Sequence, residues 1–244
     1  MNEKVLVIGV GEIGKPLLEL IQQKYETYGL DINPTGPIPP CDIMHICYPF
    51  DDENFVKESV RYIEKYQPAL VIINSTVAPG TTREIALQSR SAVVNSPVRG
   101  KHVRMKEELL HYTKFIGAIN KEEGERAAQH FTDIGMRVKI VSSPEASELA
   151  KLTETTYFGI LIAWAQEVER YAKELGVNYD EVVLFYDEIR FFPPTKFFPG
   201  VIGGHCVMPN IKILKGRFSS GILDAVERSN QIKQLDLGIE GWTK

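Results

Sequence analysis

Lys4-Val5-Leu6-Val7-Ile8-Gly9-Val10-Gly11-Glu12-Ile13-Gly14 is the stretch on which the fold turns. Residues 4–8 are a short apolar run, the pattern of a parallel strand buried on both faces, and the run ends in glycine. Gly9, Gly11 and Gly14 then spell G-x-G-x-x-G, while Ile13, Leu17, Leu18 and Ile21 share one face of a helix. The next strand-like run, TYGLD, ends at Asp31, 22 residues after Gly9. Three glycines at this spacing say little alone. Set between a strand and a helix, with an acidic residue closing the following strand, they read as a dinucleotide-binding turn. The glycines let the backbone approach a pyrophosphate, and the helix N-terminus supplies unpaired N–H groups and a positive dipole end. Asp31 would accept hydrogen bonds from a ribose diol and repel a 2′-phosphate. No arginine follows it, so NAD is favoured over NADP.

The same alternation continues along the chain. CDIMHICYP (41–49), ALVIIN (69–74), SAVVNSP (91–97), KFIGAI (114–119) and a run near 136–141 read as strands. Helical patterns cover Asp51 to Lys65, 81–89 and 121–134. Short apolar strands alternating with amphipathic helices predict an α/β fold with a doubly wound sheet. The style changes at Ser142. Ser143 can cap a helix with Pro144 at its first position, and a helical pattern then runs from Glu145 to Leu175. Further helices are expected over 179–190 and Ile222 to Lys233. The expected division is a dinucleotide-binding domain over 1–142 and a smaller, mostly helical domain over 143–244.

Composition bounds the function. The chain has 244 residues, 43% of them hydrophobic and 25% charged, ordinary values for a globular protein. A net charge of −4 argues against nucleic acid or an anionic membrane as partner. No apolar run approaches the ~20 residues of a membrane span. Cys41, Cys47 and Cys206 are odd in number and lack metal-ligand spacing, so reduced thiols in a cytoplasmic protein and no metal are the expectation.

Three further stretches bear on chemistry. Asn74-Ser75-Thr76-Val77-Ala78-Pro79-Gly80-Thr81-Thr82 lies at a strand's carboxyl end, where ligands bind in such sheets. Glu148 to Tyr157 sits early in the long helix, and Gly203-Gly204-His205-Cys206 leads into FPGVIGGHCVMPN's end at Asn210. In this order, after the glycine turn, they resemble the UDP-glucose/GDP-mannose dehydrogenase family, over nearly the whole chain. The resemblance implies a Rossmann domain, a helical middle domain that dimerises through the long helix, and oxidation of a sugar primary alcohol to an acid with two NAD and a cysteine thioester. It gives Cys206 the nucleophile's place. Lys151 takes that of the lysine assisting proton transfer and stabilising the oxyanion. Thr76, with Ser75 beside it, takes that of the threonine ordering water and substrate near the nicotinamide. The cofactor set is then Gly9, Gly11, Glu12, Ile13, Gly14, Asp31, Ser75 and Thr76.

Three positions depart from the family pattern. Thr155 stands where members carry asparagine, Asn210 where they carry aspartate, and Val98 where they carry glutamate. Neither Val98 nor Asn210 can activate water, and losing a general base typically costs ~10²–10⁴-fold. The chain also stops at Lys244, where the family continues into a third domain. The expectation is an oxidoreductase on an anionic, nucleotide-linked sugar with the second oxidation impaired. Two rivals stay open: a two-electron β-hydroxyacid-type dehydrogenase on a small anion, and an NAD-binding protein without catalysis. Arg99 and Lys101, in the basic run after the fifth strand, are either an anion clamp for the substrate or a solvated loop. FFPPTKFFPG (191–200) is read as a lid or as a loop at the dimer interface, and Tyr157, Phe158 and Trp164 as packing against a partner helix.

Overall fold

The computed structural model describes residues 3–31, 37–100, 104–189, 197–203 and 206–239. Two compact units make up the chain, Met1–Lys151 and Leu152–Lys244. Among the described residues the first holds a seven-stranded sheet: β1 (Lys4–Ile8), β2 (Glu26–Leu30), β3 (Ile43–Ile46), β4 (Leu70–Ile73), β5 (Val93–Asn95), β6 (Lys114–Gly117) and β7 (Val138–Val141). The spatial order is β2-β1-β3-β4-β5-β6-β7, and every pairing is parallel except β5 with β6. The chain order reverses at β1, which opens a crevice at the carboxyl ends of the strands.

Alternation along each strand divides the core in two. Val5, Val7, Ile43, Leu70 and Ile72 pack on one face with α1 (Gly14–Ile21) and α5 (Lys121–Asp133). Leu6, Ile8, Met44, Ile46, Val71 and Ile73 pack on the other with α2 (Phe55–Tyr66) and α3 (Thr81–Ser89). β1 and β4 are buried on both faces, which is why they read as apolar runs. Each fully buried aliphatic side chain contributes on the order of 1.5–3 kcal/mol to the layer.

The expected elements form, with three differences. α2 starts at Phe55 rather than Asp51, because the Asp51 carboxylate accepts from the Glu53 N–H at 3.1 Å and the Asn54 amide at 2.7 Å and holds those residues in a turn. The helix expected over 179–190 is α7 (Tyr179–Val183) followed by a 3-10 turn over Leu184–Glu188. Two short helices were not foreseen, α4 (Met105–His111) and α8 (Val207–Lys215).

α6 (Pro144–Leu175) starts as its sequence predicts, the Ala146 N–H donating to Oγ of Ser143 at 3.2 Å. In the second unit Leu152, Ala163, Ile202, Val207, Ile211, Leu214, Leu223 and Val226 form a core between α6, α8 and α9 (Gly221–Asp236). Gly159 makes this packing possible, since a Cβ there would lie 2.5 Å from Val207. No helix of the described residues is long and apolar enough to cross a membrane.

Candidate active site

The glycine turn shows a separate steric reason for each glycine. Gly9 has φ +87°, and a Cβ on it would meet the Tyr48 backbone N at 2.7 Å. A Cβ on Gly14 would lie 1.9 Å from the Gly9 carbonyl oxygen, so α1 can start this close to β1 only with glycine there. A Cβ on Gly11 would meet nothing within 4 Å. Gly11 is therefore not demanded by the protein's own packing; its missing side chain leaves open space above the turn, as a pyrophosphate requires. Ile13 is the N-cap of α1 and gives no side-chain cap, the Lys15 N–H donates to the Gly11 carbonyl at 3.0 Å, and Pro16 has no N–H to offer. Glu12 is exposed in the turn, Ile13 packs on the core, and Asp31 is exposed directly after β2. These residues fit a dinucleotide.

The segment after β4 is held from several sides. The Ser75 hydroxyl donates to the Tyr48 carbonyl at 2.6 Å, and the Val98 N–H donates to the Asn74 carbonyl at 3.2 Å. Glu148 of α6 is buried, and its carboxylate accepts from the Gly80 N–H at 2.7 Å and the Thr82 N–H at 2.9 Å, capping α3 from a different helix. Burial pushes its pKa up, and the N–H donors oppose that shift. Arg83 grips Glu145 with two hydrogen bonds, at 2.6 and 3.1 Å, and holds that carboxyl down at about 2. The Ser147 hydroxyl donates to Oδ1 of Asn95 at 2.6 Å. The first turns of α6 are thus tied to the carboxyl ends of β4 and β5, with Thr76 and the half-buried Lys151 on these two segments.

Cys206 lies in the second unit as the exposed N-cap of α8. The backbone before it is pinned: Asn230 accepts from the Ile202 N–H at 2.7 Å and donates to its carbonyl at 3.0 Å, and the Gln166 amide donates to the Gly200 carbonyl at 2.7 Å. One turn into α8, Nδ2 of Asn210 donates to Oγ1 of Thr155 at 2.7 Å, and Thr155 donates to the Leu152 carbonyl at 3.0 Å. The two polar departures are therefore partners of each other. Val98 is buried in the core beside β5.

Arg99 sits over the rings of Tyr112 and Phe115, at 5.1 and 5.7 Å from their centroids. Lys101, His205, Gly204 and residues 191–196 lie outside the described residues. Cys41 and Cys47 are buried, and burial pushes both thiols up to about 12, which makes them inert core groups. Among the described residues no cluster of His, Cys, Asp or Glu is placed to hold a metal. Sequence reasoning passed over Glu148 and Lys114. For Lys114 the signal was a charged residue opening an apolar strand, which must find buried partners.

Residues 145–232 match the central domain of the UDP-glucose/GDP-mannose dehydrogenase family. A UDP-N-acetyl-D-mannosamine dehydrogenase of Methanocaldococcus jannaschii is 24% identical over 258 residues, covering 85% of this chain and 60% of that protein. The chain thus spans about three-fifths of that relative's length. The structure of the UDP-D-ManNAc dehydrogenase of Pyrococcus horikoshii matches 96% of this chain and 70% of its own, with a TM-score of 0.82 at 20% identity. A 3-hydroxyisobutyrate dehydrogenase of Mycobacterium tuberculosis matches 98% of this chain and 94% of its own, with a TM-score of 0.72 at 14% identity. At such identities the structural likeness speaks for the fold. In its central part the chain is thus similar to the UDP-glucose/GDP-mannose dehydrogenase family, and over most of its length to relatives named as UDP-N-acetyl-D-mannosamine dehydrogenases.

Proposed function

We propose that the chain is an NAD-dependent oxidoreductase that oxidises the primary alcohol of a nucleotide-linked sugar, with UDP-N-acetylmannosamine the first substrate to try. The observation that carries this is the open space over Gly11 between two sterically required glycines, which the protein's own packing leaves unused. Bound NAD supplies the hydride acceptor. Gly9, Gly11, Glu12, Ile13 and Gly14 line its pyrophosphate, Asp31 takes the adenosine ribose diol, and Ser75 and Thr76 face its reactive half. Lys151 accepts the alcohol proton as the hydride leaves carbon, so one alcohol and one NAD give one aldehyde, one NADH and one proton.

The second oxidation is the weaker half. Cys206 can add to the aldehyde, but Asn210 is an amide engaged with Thr155, and buried Val98 offers no base. We therefore read the reaction as slowing or stopping at the aldehyde. Arg99 and Lys101 remain the proposed contacts for the substrate's anionic part. The chain acts as a homodimer in the cytoplasm, where reduced thiols such as the buried Cys41 and Cys47 are stable.

Lys151→Met tests the assignment. Turnover should fall by about 10²–10⁴-fold while the Kd for NAD stays within a factor of two. Equal turnover in both proteins would remove Lys151 from the chemistry.

A further inference from the structure

At the carboxyl edge of the sheet lies a polar seam that the proposed chemistry does not use. Lys114, the first residue of β6, is almost wholly buried. β6 runs antiparallel to β5 with Gly117 opposite Asn95, so its start lies past the carboxyl end of β5. Nζ donates to Oδ1 of Asn74 at 3.2 Å and to the Ser96 carbonyl at 2.5 Å, with the Pro97 carbonyl 3.5 Å away. Asn74 is the first residue beyond β4, and Ser96 the first beyond β5. All three acceptors are neutral, and no carboxylate among the described residues pairs with the ammonium.

Facing Lys114 are the Cys47 thiol after β3, Lys151 of α6 and the Phe131 ring of α5, whose centroid is 4.9 Å away. The seam continues through two histidines. Because Oδ1 of Asn74 accepts from Lys114, its Nδ2 donates to Nδ1 of His45 at 3.0 Å. His45 then carries its proton on Nε2 and donates to Nε2 of His130, 2.9 Å away. Burial holds both imidazoles below their ordinary range, His130 at about 4, so both are neutral above pH 6. The Cys47 thiol, pushed up to about 12, is neutral as well. Burial brings Lys114 from 10.5 to about 7, with the Lys151 charge adding to the drop.

We propose that Lys114 sets this site's preference between oxidised and reduced dinucleotide, by placing a protonatable cation on the nicotinamide's side of the crevice. The inference rests on the NAD-binding reading above. The glycine turn after β1 and Asp31 after β2 take the adenosine half, so the other half extends across the reversal at β1 toward the ends of β3, β4 and β5. There the nicotinamide is cationic in NAD⁺ and neutral in NADH. At an effective dielectric of about 20, unit charges about 10 Å apart shift an equilibrium by about tenfold. Charged Lys114 disfavours NAD⁺ and is indifferent to NADH. Its deprotonation removes the bias, and NAD⁺ binding near neutral pH expels its proton.

The test is the Kd of the full chain for NAD⁺ and NADH, by calorimetry from pH 6 to 8.5, in the wild type and in Lys114→Met. In the wild type the NAD⁺ Kd should fall about tenfold as pH rises through 7, while the NADH Kd changes by less than about twofold. In Lys114→Met both should be flat, with NAD⁺ already tight at pH 6. A flat wild-type NAD⁺ profile, or an unchanged slope in Lys114→Met, overturns the proposal and leaves cofactor binding standing. If neither dinucleotide binds, the NAD reading fails and takes this one with it. If Lys114→Met does not fold, proton release by the wild type decides, measured in buffers of different ionisation enthalpy. A fraction of a proton released with NAD⁺ and none with NADH supports the proposal; none with either overturns it.

Discussion

Gly11 and Gly14 differ by three positions and should fail in opposite ways. A Cβ at Gly14 would press on the Gly9 carbonyl, backbone against backbone, so Gly14→Ala should cost about 1–3 kcal/mol of stability and disturb the turn. A Cβ at Gly11 meets only open space, so Gly11→Ala should fold with its melting temperature near that of the wild type. Its cost falls on the ligand: the methyl occupies the approach to the turn, and the Kd for NAD should rise at least about tenfold. Thermal melts and NAD titrations of the pair check this. Normal NAD affinity in Gly11→Ala would mean that the space over the turn is not where the cofactor lies. The Thr155–Asn210 hydrogen bond belongs to the same level of detail, since it joins two positions the sequence could only note as separate departures.

Elements carry the next layer of the design. α6 holds the site segments together through Glu145, Ser147 and Glu148, each engaged with a different partner at the ends of α3 and β5. Beneath them, the His45–His130 pair makes the first unit sensitive to acid. Both imidazoles are held neutral by burial, so the unfolded chain, with ordinary values near 6.5, takes up protons first as pH falls. Stability should decline from about pH 6.5 toward 4, by on the order of 3 kcal/mol for His130. Urea midpoints at pH 7 and 4.5 measure it, and His130→Gln, which can still accept from His45, should show a smaller decline. An equal decline in both proteins would place the acid sensitivity elsewhere. β1 and β4 were legible in the sequence because burial on both faces leaves an apolar run, and the glycine turn because its spacing has a steric cause. α4 and α8 were not. α4 is seven residues long, too short for a period to show. α8 follows a glycine pair and has Pro209 in its first turn, which a helix tolerates there but a reader takes for a loop. The Lys114–Asn74–His45–His130 seam joins four elements far apart in sequence, and local pattern cannot show such pairing.

For the molecule as a whole, the exposed face of α6 bears on assembly. Tyr157, Trp164 and Tyr171 recur every seven residues and are 54%, 51% and 49% exposed, an aromatic stripe along one side of the helix. A homodimer through this stripe would cover it, and Trp164→Glu should then convert a dimer to a monomer in light scattering at micromolar concentration. A wild type that is already monomeric would remove the dimer from the proposal. The proposed reaction has its own whole-molecule readout, because hydride transfer and thioester hydrolysis leave different counts of reduced cofactor. The measurement to make is NADH formed per sugar consumed, with NAD in excess, across UDP- and GDP-sugars headed by UDP-N-acetylmannosamine. One NADH per sugar, with an aldehyde trapped by hydroxylamine, is the expected result. Two would show a water-activating group that Val98 and Asn210 do not supply; none on any nucleotide sugar, from protein that binds NAD, would contradict the proposed activity itself.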